Sequence, residues 1–187
     1  MRVLQELVEP NLPLRYVCQD ETRLGLLTIP GRLITLLGVK PHGSTQWQRD
    51  NFYLYGVVEP LTGASYFYEF SHLDSDCFQI FIDQVSATFA DSVVVMQMDR
   101  GSFHRSQQLE QLRRTLSESS SLLTRLNSTR QSRLWEHLKA QLRWSNCHTL
   151  DELRQQVTNI LEQMSKEVIA SLTGWNFITA AVLSASS

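Results

Sequence analysis

The six residues Val93-Val94-Val95-Met96-Gln97-Met98 constrain this chain more than any other stretch. So short and nearly unbroken an apolar run, opened by Asp91-Ser92 and closed by Asp99, fits a central strand buried on both faces. A second run, Arg15-Tyr16-Val17-Cys18-Gln19, ends in Asp20 and Glu21. It reads as a short buried strand with acids at its C-terminal tip.

Between these runs lies a hairpin. Asn51 to Val58 and Ala64 to Phe70 are rich in aromatic and β-branched residues, and Glu59-Pro60-Leu61-Thr62-Gly63 supplies the turn. The stretch before it is punctuated by Pro30-Gly31, Gly38, Pro41 and Gly43 and reads as loop. Asp74 or Ser75 caps a helix whose apolar residues Phe78, Phe81, Ile82, Val85 and Phe89 recur at helical spacing. Ser106 to Arg114 reads as another helix. Thr149, with Glu152 three residues on, opens a long C-terminal helix whose stripe runs from Leu150 to Leu172. Strands and helices in this order predict an α/β fold, a mixed sheet flanked by helices.

At 187 residues the chain can bury one real core, and a formal net charge of −2 excludes a uniformly basic coat while allowing a local basic patch. Cys18, Cys77 and Cys147 have no metal-ligand spacing and an odd count, as expected of inert thiols in a reducing cytoplasm. The first ten residues lack a signal-peptide apolar region, and no apolar run approaches the ~20 residues that span a bilayer. A cytoplasmic, nucleoid-associated protein without membrane contact is expected.

The chemistry gathers at the strand ends. If the strands ending at Asp20 and Asp99 are neighbours, both carboxylates can face one crevice, where they repel unless a cation neutralises them. Mg²⁺ or Mn²⁺ suits oxygen ligands, and two such ions about 3.5–4 Å apart can serve phosphoryl transfer. An aspartate at a strand end is also an ordinary cap or turn residue, so spacing alone leaves both readings open. Glu21 is adjacent to Asp20 and points differently, which makes it an accessory or surface acid. His104 follows Asp99 on the next loop, where it could orient a water, contact a phosphate or sit at the surface.

Several motifs in order resemble the mariner-related bacterial insertion-sequence transposases of the DDE class. Gln19-Asp20-Glu21-Thr22 resembles the first-aspartate motif, and Gly38-Val39-Lys40-Pro41 the loop before the hairpin. Phe52 to Gly63 resembles the hairpin itself, and Leu73 to Phe78 the start of the next helix. Met98-Asp99-Arg100-Gly101-Ser102-Phe103-His104 resembles the second-aspartate motif, and Leu134 to Lys139 the start of the late helix. The resemblance implies an RNase H-like catalytic domain, with Asp20 and Asp99 as metal-binding catalytic carboxylates. It implies Mg²⁺ or Mn²⁺ as cofactor and cleavage and transfer of DNA strands at transposon ends. The partners it implies are end and target DNA, with a homodimer or a full-length transposase as protein partner.

Three departures accompany the resemblance. Arg100 stands where the family usually has Asn; with Arg105 it is a candidate DNA contact. The third acid is missing. Counting back from Trp135 puts it at Ser132, and counting forward from Leu126-Asn127 puts it at Arg130. The segment Thr115–Arg133 is dominated by Ser, Leu and Arg, lacks proline, and looks unlike the strand and loop it replaces, as two compensating frameshifts would leave it. Glu118 and Glu136 are the nearby acids, and both read better as solvated surface groups. Finally, residues 1–14 are too few for a helix-turn-helix module. The expected organisation is a short N-terminal remnant (1–14), a catalytic domain (15–145) and a C-terminal helical segment (146–187). Without a third carboxylate the expected activity is impaired. A non-catalytic remnant that binds DNA or pairs with a transposase is the alternative.

Overall fold

The computed structural model describes residues 13–98, 121–125 and 131–174. Asp99, Arg100, His104, Arg105, Glu118, Arg130 and the proposed helix at Ser106–Arg114 lie outside them.

Five strands form one mixed sheet in the order β3-β2-β1-β4-β5. They are β1 (Leu14–Gly25), β2 (Asn51–Val58), β3 (Ser65–Phe70), β4 (Val93–Met98) and β5 (Ser121–Arg125). Four helices follow the same chain order: α1 (Ser75–Thr88), α2 (Gln131–Gln141), α3 (Leu150–Gln163) and α4 (Lys166–Thr173). The α/β mixed sheet flanked by helices is therefore present, and β4 is buried along its whole length between β1 and β5.

Two apolar layers sandwich the sheet. On one face, Phe78, Phe81, Ile82 and Val85 of α1 pack on Val17, Tyr55, Val57, Val94, Met96 and Met98. On the other, Leu134, Trp135 and Leu138 of α2, with Leu153 and Val157 of α3 and Ile169 of α4, pack on Leu24, Phe52, Leu54 and Val58. Strand alternation sorts these residues: even positions of β2 face α2, odd positions face α1. Asp74 caps α1 by accepting from the Cys77 backbone N–H at 2.8 Å. Thr149 accepts from the Glu152 N–H at 3.2 Å, while the Glu152 carboxylate reaches back to the His148 N–H at 2.7 Å.

Three expectations need correction. First, β1 does not stop at Gln19. β2 pairs with it from Cys18 to Gly25, so Asp20 and Glu21 sit within a twelve-residue strand. The continued alternation of buried Thr22 and Leu24 rewards that extension. Second, the long C-terminal stripe is divided. Met164 is extended (ψ 110°), and Ser165 starts a new helix by accepting from the Val168 N–H at 3.4 Å. Turning there lets Met164 and Ile169 both reach the α2 layer. Third, the segment 115–133 does contain a strand. β5 pairs parallel with β4, Val94 opposite Ser121 through Met98 opposite Arg125.

The hairpin turn is locked against α4. Gly63 has φ +71°, and a Cβ there would lie 1.9 Å from the Lys166 carbonyl oxygen. Beside it the buried Glu59 carboxylate accepts from Arg15 Nη1 at 2.9 Å and from the Thr62 hydroxyl. Gly63→Ala is expected to lower the unfolding free energy by roughly 2–4 kcal/mol, through the left-handed backbone and the backbone clash. Urea unfolding checks this; a loss below ~0.5 kcal/mol would show that α4 can lift away freely.

Candidate functional site

Asp20 is placed by two ladders. On one side it stands opposite Gly56 of β2. On the other, the parallel ladder with β4 runs only to Cys18 opposite Gln97. Asp20 lies two residues beyond that pair, half-buried, with the Glu21 N–H donating to its Oδ1 at 3.0 Å.

Cross-strand neighbours share a face, so what Gly56 looks at is what Asp20 looks at. A Cβ on Gly56 would meet Gln131 Nε2 at 2.6 Å, Trp135 at 2.8 Å and Phe67 at 2.9 Å. The space a side chain would take beside Asp20 is filled by the first turn of α2 and by Phe67. Lys139, two turns further along α2, feels the Asp20 charge, although burial has the larger effect and pulls its pKa down.

Gln131 borders that space. Its side chain is wholly buried, and neither Oε1 nor Nε2 has a hydrogen-bond partner among the described residues. Trp135 Nε1, one turn on, is also buried without one. A buried amide lacking partners costs about 1–3 kcal/mol, and such groups are rare in packed interiors. Motif counting gives Arg130 and Ser132 and so straddles Gln131 without selecting it. The available signal was its spacing of four from Trp135, which puts both on one helical face. Ser132 and Glu136 are exposed, and Glu136 is turned away from the sheet.

Behind Asp20 the same face continues with Cys18 and Tyr16. The Tyr16 hydroxyl donates to Gln97 Oε1, and burial pushes its pKa upward so that it remains a donor. Cys18 Sγ lies 3.8 Å from the same oxygen, and burial pushes that thiol up to about 11. Glu21 is on the opposite face, where Gln19 Nε2 donates to its carboxylate at 3.0 Å; burial, and after it the Glu21 charge, raises the pKa of Tyr55.

The donor set can be tested for a divalent cation. No cluster of three or more His, Cys, Asp or Glu exists among the described residues. Asp20 and the Gln131 amide oxygen are nevertheless both hard oxygen donors, and Gln carbonyls do ligate such ions. An orphaned amide above a cradle that a Cβ would fill fits a small cation better than it fits an apolar core.

The mixed sheet with helices on both faces is a fold shared with solved transposase catalytic domains. No family model and no curated protein sequence matches the chain. Among solved structures, the Mos1 transposase paired-end complex with left transposon end matches with TM-score 0.70 and 9% identity, over 100% of this chain and 60% of that one. The mariner Mos1 paired end complex with Mg matches with TM-score 0.65 and 12% identity, over 92% and 56%. The catalytic domain of Mos1 mariner transposase matches with TM-score 0.59 and 10% identity, over 84% and 74%. This chain thus spans 55–60% of the length of the larger Mos1 chains it matches. At these identities the fold is what is shared. No helix among the described residues is long and apolar enough to cross a membrane.

Gln131→Leu should stabilise the protein by about 1–3 kcal/mol, because an unpaired buried amide is replaced by an apolar group of similar size. Chemical denaturation with and without the substitution measures this. A clear destabilisation would mean the amide serves the fold rather than a site.

Proposed function

We propose that this chain is the catalytic domain of a DDE-type transposase that cuts and joins DNA strands at transposon ends, with a weakened metal site. Asp20, Asp99 and the Gln131 amide oxygen would hold Mg²⁺ or Mn²⁺. The cation would supply charge stabilisation of the attacking and leaving oxygens in phosphoryl transfer. The observation that carries the reading is the unpartnered Gln131 amide over Gly56, one cross-strand step from Asp20. Sequence register supports the second aspartate. Cys18 is opposite Gln97, and in the sequence Asp20 and Asp99 each follow two residues later. Period-two alternation from Gln97 would give residue 99 the face that Asp20 uses.

The chain's own residues account for the rest. The Glu21 N–H steers one Asp20 oxygen. Trp135 and Phe67 wall the cradle and limit water. Lys139 contributes positive charge near the carboxylate. A neutral amide in place of a third carboxylate removes one negative charge from the ligand set, which weakens cation binding and predicts slow strand cleavage. Arg100, Arg105 and His104 are proposed phosphate contacts, Glu21 is proposed to stay outside the ligand set, and DNA and a second transposase subunit are the proposed partners.

Calorimetry with Mn²⁺ tests the reading. Wild type should bind weakly, Asp20→Asn should abolish binding, and Gln131→Glu should tighten it by about tenfold or more. Plasmid nicking should rise in the same variant. Mn²⁺ affinity indifferent to Asp20→Asn would falsify the metal site and leave a non-catalytic remnant.

A further inference from the structure

A second feature lies further along β1. A cavity of about 520 Å³ is lined by Arg23, Arg49 and Lys139, with Leu24, Leu27 and Ile29 among its apolar walls. None of the three cations makes an ion pair among the described residues, whereas Arg15 and Arg154 both do. The acid at the rim, Asp50, accepts from Gln48 Nε2 at 2.6 Å. Arg23 and Arg49 are exposed, while burial pulls the Lys139 pKa down, as expected of an amine held without a full counter-ion.

The groove is built rather than incidental. It forms where the 26–50 loop leaves and rejoins the β1–β2 ladder, a neck closed by Leu26 N–H to the Asp50 carbonyl at 2.9 Å. Thr28 adds a second tie: its hydroxyl accepts from the Gln46 N–H at 2.7 Å and donates to Asn146 Oδ1 at 2.8 Å. At the neck, a Cβ on Gly25 would lie 2.9 Å from both Asn51 Cβ and the Asp50 carbonyl oxygen. The two strands are in close contact there, so Arg23 and Arg49 are carried on a fixed frame.

We infer that this groove binds the DNA backbone flanking the reacting phosphate, gripping phosphates with Arg23, Arg49 and Lys139 and resting sugars on the apolar wall. This rests on the proposed DNA-cutting role of the Asp20 site. The volume exceeds what a single phosphate needs, and cations beside apolar surface match the alternation of phosphate and sugar. Arg23 shares Glu21's face of β1 and lies three residues beyond Asp20, about 10 Å along the extended strand. That is roughly three steps of a duplex at ~3.4 Å each. Lys139 lies nearer and bridges the groove to the acid.

The test is fluorescence anisotropy of a labelled 20-base-pair duplex, titrated with the full chain in EDTA at stepped KCl. Arg23→Gln with Arg49→Gln should weaken binding and flatten the slope of log K against log salt by roughly 0.9 per lost contact, nearly 2 together. Thermal melting verifies that these two exposed substitutions leave the fold intact. Lys166→Gln, an exposed cation on α4, should leave the slope unchanged. An unaltered slope in the double variant, an equal drop in Lys166→Gln, displacement of the duplex by millimolar inorganic phosphate, or no duplex binding by wild type would each overturn the groove. Because EDTA removes metal, this outcome is separate from the Mn²⁺ result, which decides the Asp20 reading on its own.

Discussion

β1 is the strand on which the rest of the structure depends. Its twelve residues are hydrogen-bonded antiparallel to β2 along one edge and parallel to β4 along the other, and the two ladders overlap only at Cys18. Before that point β1 pairs with the parallel β4, and from Cys18 on it pairs antiparallel with β2. Asp20 lies in that second stretch and is half-buried. The same extension carries Arg23 out to the groove.

Along β2 the α2 face is apolar except at Gly56. Phe52, Leu54 and Val58 are packed by Leu134, Leu138 and the later helices, but Gly56 breaks the row. There the Gln131 amide and the Trp135 indole N–H pack close against the strand, buried and without hydrogen-bond partners among the described residues.

The charge on that site distinguishes this chain from what its motifs resemble. In the proposed site a glutamine, which has nearly the shape of a glutamate and lacks its charge, would keep the geometry and weaken the attraction for a cation. Whatever produced the unusual composition of 115–133, the result still supplies β5 and pairs it with β4 in register.

Much of the architecture was legible in the sequence because it depends on local periodicity. The apolar run Val93–Met98, the aromatic hairpin, the Asp74 and Thr149 caps and the α1 stripe each declare an element within a few residues. Asp20 was legible as a candidate because an acid following an apolar run is a local signal. What only the tertiary structure decided depends on distant partners. The length of β1 follows from β2, the break at Met164-Ser165 from the layer on α2, and the strand within 115–133 from β4. Gln131 and the Arg23–Arg49–Lys139 groove belong to the same group. Residues far apart in the chain became neighbours only when Gly56, α2 and the loop neck were packed together, and no periodicity within one segment encodes that meeting.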